Sequence, residues 1–259
     1  MMGSEGKFDN VCYKRNFLTE VIARLDLVSP IESLGDELPK RIAAESLRDF
    51  PISEPRPMKT RQVRISEREV ESKLKEFTEW NFWGREREKR LTLGPQTFLI
   101  SYGRYQRYET LRTEFENIAK VFFENYSEAQ PNRLGLRYIN EIKLGDGDPL
   151  QWEDYISKEL LGMFSFRAEG AEVARIFHNL ELVYGASDFN LRFQFGMHNP
   201  DYPAPIRQRV FVLDFDAYCE GLLETQIVPT LLDKYHVAIQ SLFERSITEK
   251  TRNELNGIE

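Results

Sequence analysis

Two aspartates near the end of a strand-like segment are the first residues whose spacing could carry chemistry. Asp214 and Asp216 lie two positions apart, and therefore on one face of the strand predicted at 209–216. Paired carboxylates perform acid/base chemistry when their environments separate their pKa values, and they also bind Mg²⁺. They equally cap helices, and the sequence predicts a helix from about Tyr218. Capping is therefore the favoured interpretation.

The three histidines, His178, His198 and His236, are candidate ligands or general bases. His178 alternates onto an apolar strand face and His236 borders the apolar stripe of the last long helix, so both are predicted to be core side chains. A hydrolytic enzyme that uses Asp214, Asp216 and His236 is an alternative hypothesis. The sequence has no metal-ligand spacing and none of the common catalytic or phosphate-binding motifs, so neither a metal nor a cofactor is expected.

The segment 133–142 carries an amide among apolar residues. Asn140 falls on the same strand face as Tyr138 and Ile142. A buried amide must be hydrogen-bonded or cost about 1–3 kcal/mol, so we expect either a structural amide or a ligand contact at Asn140. Arg137 lies on the opposite face, where a solvated charge or a salt bridge to the covering helix is expected.

A basic surface rich in tyrosine is a further candidate. The Arg85–Arg112 patch holds seven Lys or Arg against three Asp or Glu, a local charge of +4 in a chain of net charge −7. Guanidinium groups on phosphates and aromatic rings on bases are typical of single-stranded nucleic-acid binding. The residues that would bind are Tyr102, Arg104, Tyr105 and Arg107. The alternative is a ladder of solvated, alternating Arg and Glu side chains.

Composition indicates an ordinary globular protein. Hydrophobic residues make up 41% and aromatic residues 12% of the chain, and no apolar run approaches the ~20 residues that span a bilayer. The first ten residues lack the apolar core of a secretory signal. Two cysteines, Cys12 and Cys219, argue against a disulfide scaffold. We therefore expect a cytoplasmic location and no membrane partner.

The order of predicted elements repeats along the chain. A strand at 16–27 precedes helical signals interrupted by Pro39, then strands, then a helix at 108–126, and a similar order follows. Alternation of apolar and polar residues is typical of antiparallel sheets with one wet face. The sequence predicts an α+β fold: a duplicated β-α-β-β-β-α unit with two antiparallel sheets, each covered by a long helix, in lobes 1–130 and 131–259 of one compact unit.

Two segments are harder to assign. In 66–83, helical spacing competes with a strand over 77–83. Proline fits the first turn of a helix and breaks its interior, so a short helix is expected from Tyr218 to Gln226 and a second one from Pro229.

Three blocks together resemble a sporadically distributed family of uncharacterised prokaryotic proteins. They are the RLGLRYINEI segment at 133–142, the LDFD strand end at 213–216 and the H-x-x-I-x-x-x-F-E pattern at 236–244. The opening segment Tyr13–Val21, with its Glu-Val pair, is also similar to that family. The resemblance implies a cytoplasmic bacterial or archaeal protein and singles out Arg137, Tyr138, Asn140, Asp214, Asp216, His236 and Glu244.

The resemblance supplies no activity. A patchy family distribution implies mobile or defence-linked gene neighbourhoods, where small proteins, toxins and nucleic acids are typical targets. Together with the missing catalytic motif, this favours a non-enzymatic binding or interaction protein, such as an immunity protein, an antitoxin or a defence-linked accessory factor. A protein partner is expected, and a homodimer through an exposed sheet edge is a further prediction. Nucleic-acid binding and hydrolysis are the alternatives.

Overall fold

The computed structural model describes residues 13–65, 70–166, 168–185 and 189–257. The predicted α+β class is confirmed. The strands are β1 Leu18–Leu27, β2 Ile52–Ser53, β3 Arg56–Ile65, β4 Val70–Trp83, β5 Lys89–Leu93, β6 Thr97–Tyr102, β7 Pro131–Lys143, β8 Ile176–Tyr184, β9 Phe189–Met197 and β10 Val210–Glu220. The helices are α1 Glu32–Asp36, α2 Lys40–Asp49, α3 Tyr108–Asn125, α4 Val228–Ser246 and α5 Glu249–Asn256, with 3-10 turns at Lys158–Leu160 and Thr225–Ile227.

The strands form one large antiparallel sheet. Its hydrogen-bonded order is β2-β4-β5-β6-β1-β7-β10-β9-β8, and β3 pairs with β4 outside that path. The prediction of two sheets is therefore not confirmed. β1 and β7 are neighbours in this order. Each of them therefore has a hydrogen-bonded strand on both sides, and neither forms an exposed edge of the sheet.

The chain divides into two compact units, which we name after their long helices. The α3 unit comprises Ile22–Gly135 and Glu220–Pro229, and the α4 unit comprises the described residues up to Val21, Leu136–Cys219 and those from Thr230 onward. The predicted lobes differ from these units at residues 13–21, 131–135 and 220–229.

The core of the α3 unit forms where α3 packs on the sheet. Its buried residues Leu111, Phe115, Ile118 and Phe122 have the predicted helical spacing. The Phe98 ring on β6 lies 5.0 Å from the Phe115 ring and 5.3 Å from the Phe122 ring. Burial of these aromatic rings positions α3 on this face.

The core of the α4 unit is also aromatic. The rings of Phe193 and Phe215 stack at 4.6 Å across β9 and β10. Tyr235 of α4 lies 5.0 Å from the ring of Phe189. One face of this part of the sheet is therefore covered by α4.

Prolines explain several element boundaries. Pro39 separates α1 from α2, and Pro229 occupies the first turn of α4, as the sequence predicted. The helix expected from Tyr218 is wrong, because β10 continues to Glu220.

The helical alternative for 66–83 is also wrong where the structure describes it. Val70–Trp83 is β4, whose first ten residues pair with β3. Its remaining residues pair with β2 and β5. Residues 66–69 lie outside the described residues. Among the helices described, none combines the length and apolarity needed to cross a membrane.

Candidate binding face

The sheet of the α4 unit has a second face, which we call the open face. It carries the side chains of β7, β8, β9 and β10 that alternate with those packed under α4. Arg137, Arg192 and Glu181 on this face have side chains that are 41%, 41% and 42% exposed. The open face is thus polar and accessible to solvent at these positions.

A bidentate ion pair anchors the open face. Arg137 of β7 donates from Nε to Oδ1 of Asp214 at 2.8 Å and from Nη2 to Oδ2 at 2.6 Å. The Asp214 side chain is only 11% exposed. Hydrogen bonding to Asp214 raises the pKa of the Arg137 guanidinium above its ordinary value, so Arg137 stays charged at physiological pH.

Two rows of polar side chains cross the open face. The strand register sets Asp216 opposite Arg192, and Arg192 opposite Glu181. The neighbouring row runs from Asp214 through Gln194 to Asn179. Paired residues of antiparallel strands project to the same side, so these rows form one continuous polar surface.

The first row is linked by direct contacts. Arg192 donates from Nε to Oε1 of Glu181 at 2.6 Å, and its guanidinium lies 5.5 Å from the centre of the Tyr218 ring. The hydrogen bond to Glu181 raises the pKa of Arg192. Both partners are exposed, so this pair contributes little to stability and leaves its charges available to a partner.

The open face has an acidic balance. The carboxylates of Asp214, Asp216 and Glu20 raise the pKa of Arg137, and those of Glu181 and Asp216 raise the pKa of Arg192. Glu141 and Lys143 of β7 alternate onto the same face and pair with each other at 2.7 Å. Within the α4 unit, the charged side chains of β7–β10 on this face are therefore four carboxylates and three cations, a charge of −1. A negative surface favours positively charged groups.

These positions correct two expectations from the sequence. Asp214 and Asp216 lie inside β10 and do not cap a helix, because the strand continues for four residues after Asp216. The partner of Arg137 is Asp214 on the adjacent strand β10, and not the covering helix.

Three other residues singled out by the sequence lie on the opposite, α4-covered face. The hydroxyl of Tyr138 lies 3.2 Å from Nδ1 of His236 on α4. Asn140 is buried, as predicted, and donates to the carbonyl oxygen of Leu213 at 3.4 Å. Because the sheet separates His236 from Asp214 and Asp216, the three side chains do not form a common acid/base site.

Glu244 forms a separate buried cluster on α4. Its side chain is 1% exposed. The Tyr13 hydroxyl donates to its Oε1 at 2.7 Å and lies 2.9 Å from Oε2, and Arg252 donates from Nε at 2.9 Å. The pKa of Tyr13 is raised, mainly by burial and secondly by the carboxylate of Glu244, so the phenol stays protonated. The cluster ties the segment before β1 to α4 and α5.

The Arg85–Arg112 patch is interrupted by carboxylates. Tyr102 is buried and donates to Glu114, whose other oxygen accepts from Lys89 at 2.5 Å. The ring of Tyr105 packs edge-on against Tyr102 at 6.0 Å. Tyr102 therefore has no exposed face on which a base could stack.

The arginines of this patch are partly neutralised as well. Arg104 donates to Glu86 at 2.9 Å and Arg87 donates to Glu54. Arg107 is exposed and precedes α3. A cleft of about 430 Å³ adjoins the patch, and its lining mixes basic residues with acidic ones: Arg48, Asp49, Arg85, Glu86, Glu88, Lys89 and Arg104.

Two sequence comparisons with known proteins found no relative. No protein-family model matches this chain, and no curated protein matches its sequence. The resemblance to the uncharacterised prokaryotic family therefore stays a prediction.

Sequence reasoning missed Arg192, Gln194 and Glu181 on the open face. Their signal was alternation, since Arg192 and Gln194 interleave with buried aromatic residues along β9. It also missed the buried pair of Lys89 and Glu114, whose partners lie 25 positions apart. Within the described ranges, no group of three His, Cys, Asp or Glu side chains could hold a metal ion.

Proposed function

We propose that this protein is a non-enzymatic binding protein that receives a positively charged protein surface on the open face. The observation that carries the proposal is the pair of polar rows anchored by Arg137 and Asp214. Fixed, accessible charges on a sheet bind a partner by electrostatic complementarity, which supplies specificity and a fast association rate.

The acidic balance of the open face supports a basic partner. A toxin that acts on nucleic acid carries positive surfaces for phosphate groups, and an acidic face can compete for them. This is consistent with an immunity or antitoxin role among the binding functions. It fits the overall net charge of −7 as well.

The other two hypotheses have weaker support. Hydrolysis by Asp214, Asp216 and His236 would require side chains from opposite faces of the sheet to meet. Single-stranded nucleic-acid binding would require a basic surface without neighbouring carboxylates. Lys89 is instead nearly buried against Glu114, and the exposed Arg104 lies beside Glu86, whose charge repels phosphate.

We also infer that the fold contains the predicted duplicated unit. From β1 outward the strand order is β6, β5, β4, and from β7 outward it is β10, β9, β8. In the chain, the long helix α3 follows β6, and the long helix α4 follows β10. An experimental structure in which 18–125 cannot be superposed on 131–246 would contradict this inference.

The binding proposal is tested by charge reversal on the open face. Affinity capture from the native host should retain a basic protein at low salt. Its affinity, measured by calorimetry with both purified proteins, should fall at least about tenfold in the double variant Glu181→Lys/Asp216→Lys, because like charges now face each other. Binding to the wild-type chain should also weaken as salt increases.

The matched control makes the same change of charge elsewhere in the α4 unit. Glu153 and Glu172 are exposed, so Glu153→Lys/Glu172→Lys should bind like the wild type. If the partner binds both double variants equally, or if its affinity does not change with salt concentration, the open face is not the binding site. Thermal unfolding of each variant checks that the fold is retained.

A gel-shift assay tests the nucleic-acid alternative. With single-stranded RNA and DNA at low salt, we expect micromolar affinity or no complex. Nanomolar binding that is lost in Arg104→Glu/Arg107→Glu, but kept in Asp146→Ala on a distant exposed turn, would favour this alternative.

A further inference from the structure

The last strand of the sheet has an unpaired edge. β8 pairs with β9 along all nine of its residues and ends the strand order. Within the part of the chain that the structure describes, no backbone hydrogen bond reaches β8 from the side away from β9. Such an edge presents a row of unpaired N–H and C=O groups to any other strand.

The side chains of β8 make this edge unusually apolar. Phe177, Leu180 and Val183 are 54%, 46% and 71% exposed. Exposed edges are commonly protected by proline, by lysine or by short strand length, and β8 has neither residue and is longer than the ~5–6 residues of an average strand. An edge of this kind is a template on which another strand can pair.

We propose that β8 pairs in antiparallel orientation with β8 of a second copy of this chain, about a twofold axis at Leu180. Leu180 then lies opposite Leu180 of the second copy. On the open face, Phe177 lies opposite Val183 and Asn179 lies opposite Glu181. On the α4-covered face, Ile176 lies opposite Tyr184 and His178 opposite Leu182.

The strand is complementary to itself in this register alone. Each exposed apolar residue meets an apolar residue, and the carboxylate of Glu181 meets the amide of Asn179, which can donate to it. A shift of one residue would join the open face of one copy to the covered face of the other. A shift of two residues would oppose Glu181 to its own copy or to Phe177.

Main-chain hydrogen bonds supply the affinity of such strand addition, and side-chain pairs supply its register. A twofold interface of this kind closes on itself, so it yields a dimer and no longer assembly. The inference does not rest on the proposed function, because strand addition uses the main-chain groups of the β8 edge. Asn179 and Glu181 belong to the open face as well as to this edge, so the variants at Leu180, which leave the open-face residues unchanged, test the dimer separately.

The oligomeric state tests the proposal first. Analytical ultracentrifugation of the wild-type chain should give a dimer whose population rises with concentration. Leu180→Lys should give a monomer, since two ammonium groups would meet at the axis, and its thermal unfolding should stay near that of wild type because Leu180 is half-exposed. A wild-type monomer at every concentration, or a Leu180→Lys dimer, would overturn the proposal.

Charge substitutions at Asn179 test the register. Asn179→Lys creates two cross-strand pairs with Glu181 and should lower the dimer dissociation constant by roughly two- to thirtyfold, whereas Asn179→Glu should raise it by a similar factor. Equal effects of the two variants, or effects of the opposite sign, would exclude this register.

A cross-link locates the axis independently. In a Cys12→Ser background, Leu180→Cys should form a disulfide-linked dimer on oxidation, because the two copies of residue 180 are opposite each other; the remaining Cys219 is buried. Val183→Cys is the matched control, since its two copies would be about 20 Å apart. Cross-linking of the control, or none at residue 180, would place the interface elsewhere.

Discussion

Arg137 holds Asp214 through two parallel hydrogen bonds although the residues are 77 positions apart. Bidentate pairs between charged groups are among the strongest hydrogen bonds in proteins. The carboxylate is mostly buried and the guanidinium is partly exposed. The pair therefore fixes the pairing of β7 and β10 at the centre of the open face.

We expect Arg137→Ala to destabilise the fold by about 1–3 kcal/mol, because it leaves the buried carboxylate of Asp214 without its partner. Arg192→Ala on the same face breaks an ion pair whose partners are both exposed, and should cost under about 1 kcal/mol. Urea unfolding followed by tryptophan fluorescence measures both. A larger loss for Arg192→Ala would contradict the assigned role of Arg137.

The buried cluster around Glu244 should be a major source of local stability. Glu244→Ala removes the acceptor for both Tyr13 and Arg252 and should cost about 3 kcal/mol. Tyr13→Phe removes one donor and should cost about 1 kcal/mol. The control Tyr202→Phe, at an exposed tyrosine, should be neutral in the same thermal unfolding assay. Unchanged stability of Glu244→Ala would show that the segment before β1 is not held by this cluster.

Lys89 and Glu114 should behave as an energetically coupled pair. Each is nearly buried, so Lys89→Met or Glu114→Met alone leaves a buried charge and should cost about 2–4 kcal/mol. The double variant should lose less than the sum of the two, since no unpaired charge remains. Chemical unfolding of the wild type, the two single variants and the double variant completes this double-mutant cycle. If the stability losses of the two single variants simply add up in the double variant, Lys89 and Glu114 are not coupled.

The same carboxyl group should make stability depend on pH. Burial raises the pKa of Glu114 above its ordinary 4.5 in the folded state. The folded protein therefore binds the proton of the Glu114 carboxyl group more tightly than the unfolded chain does. Protonated Glu114 contributes its full share to the free energy of unfolding below pH 4.5, and this contribution is lost as pH rises through the higher folded pKa. Relative to Glu114→Gln, the wild type should lose stability as pH rises from 4.5. A gain over this interval would reverse the assigned pKa direction.

Local patterns in the sequence determined most of the elements. The apolar spacing of α3, the alternation along β1 and the prolines at positions 39 and 229 act over a few residues, so their consequences can be read from the chain alone. Burial of Asn140 followed from the same alternation. These features depend on backbone geometry, which is common to all helices and strands.

Only the tertiary structure decided which strands meet. Val70–Trp83 has helical spacing, yet it becomes β4 because it pairs with β2, β3 and β5. Tyr218 lies in β10 because it pairs with Asn190 of β9. Likewise, the partner of Arg137 could not be inferred from spacing, because a strand's neighbours are set by long-range hydrogen bonds and packing rather than by residues nearby in the chain.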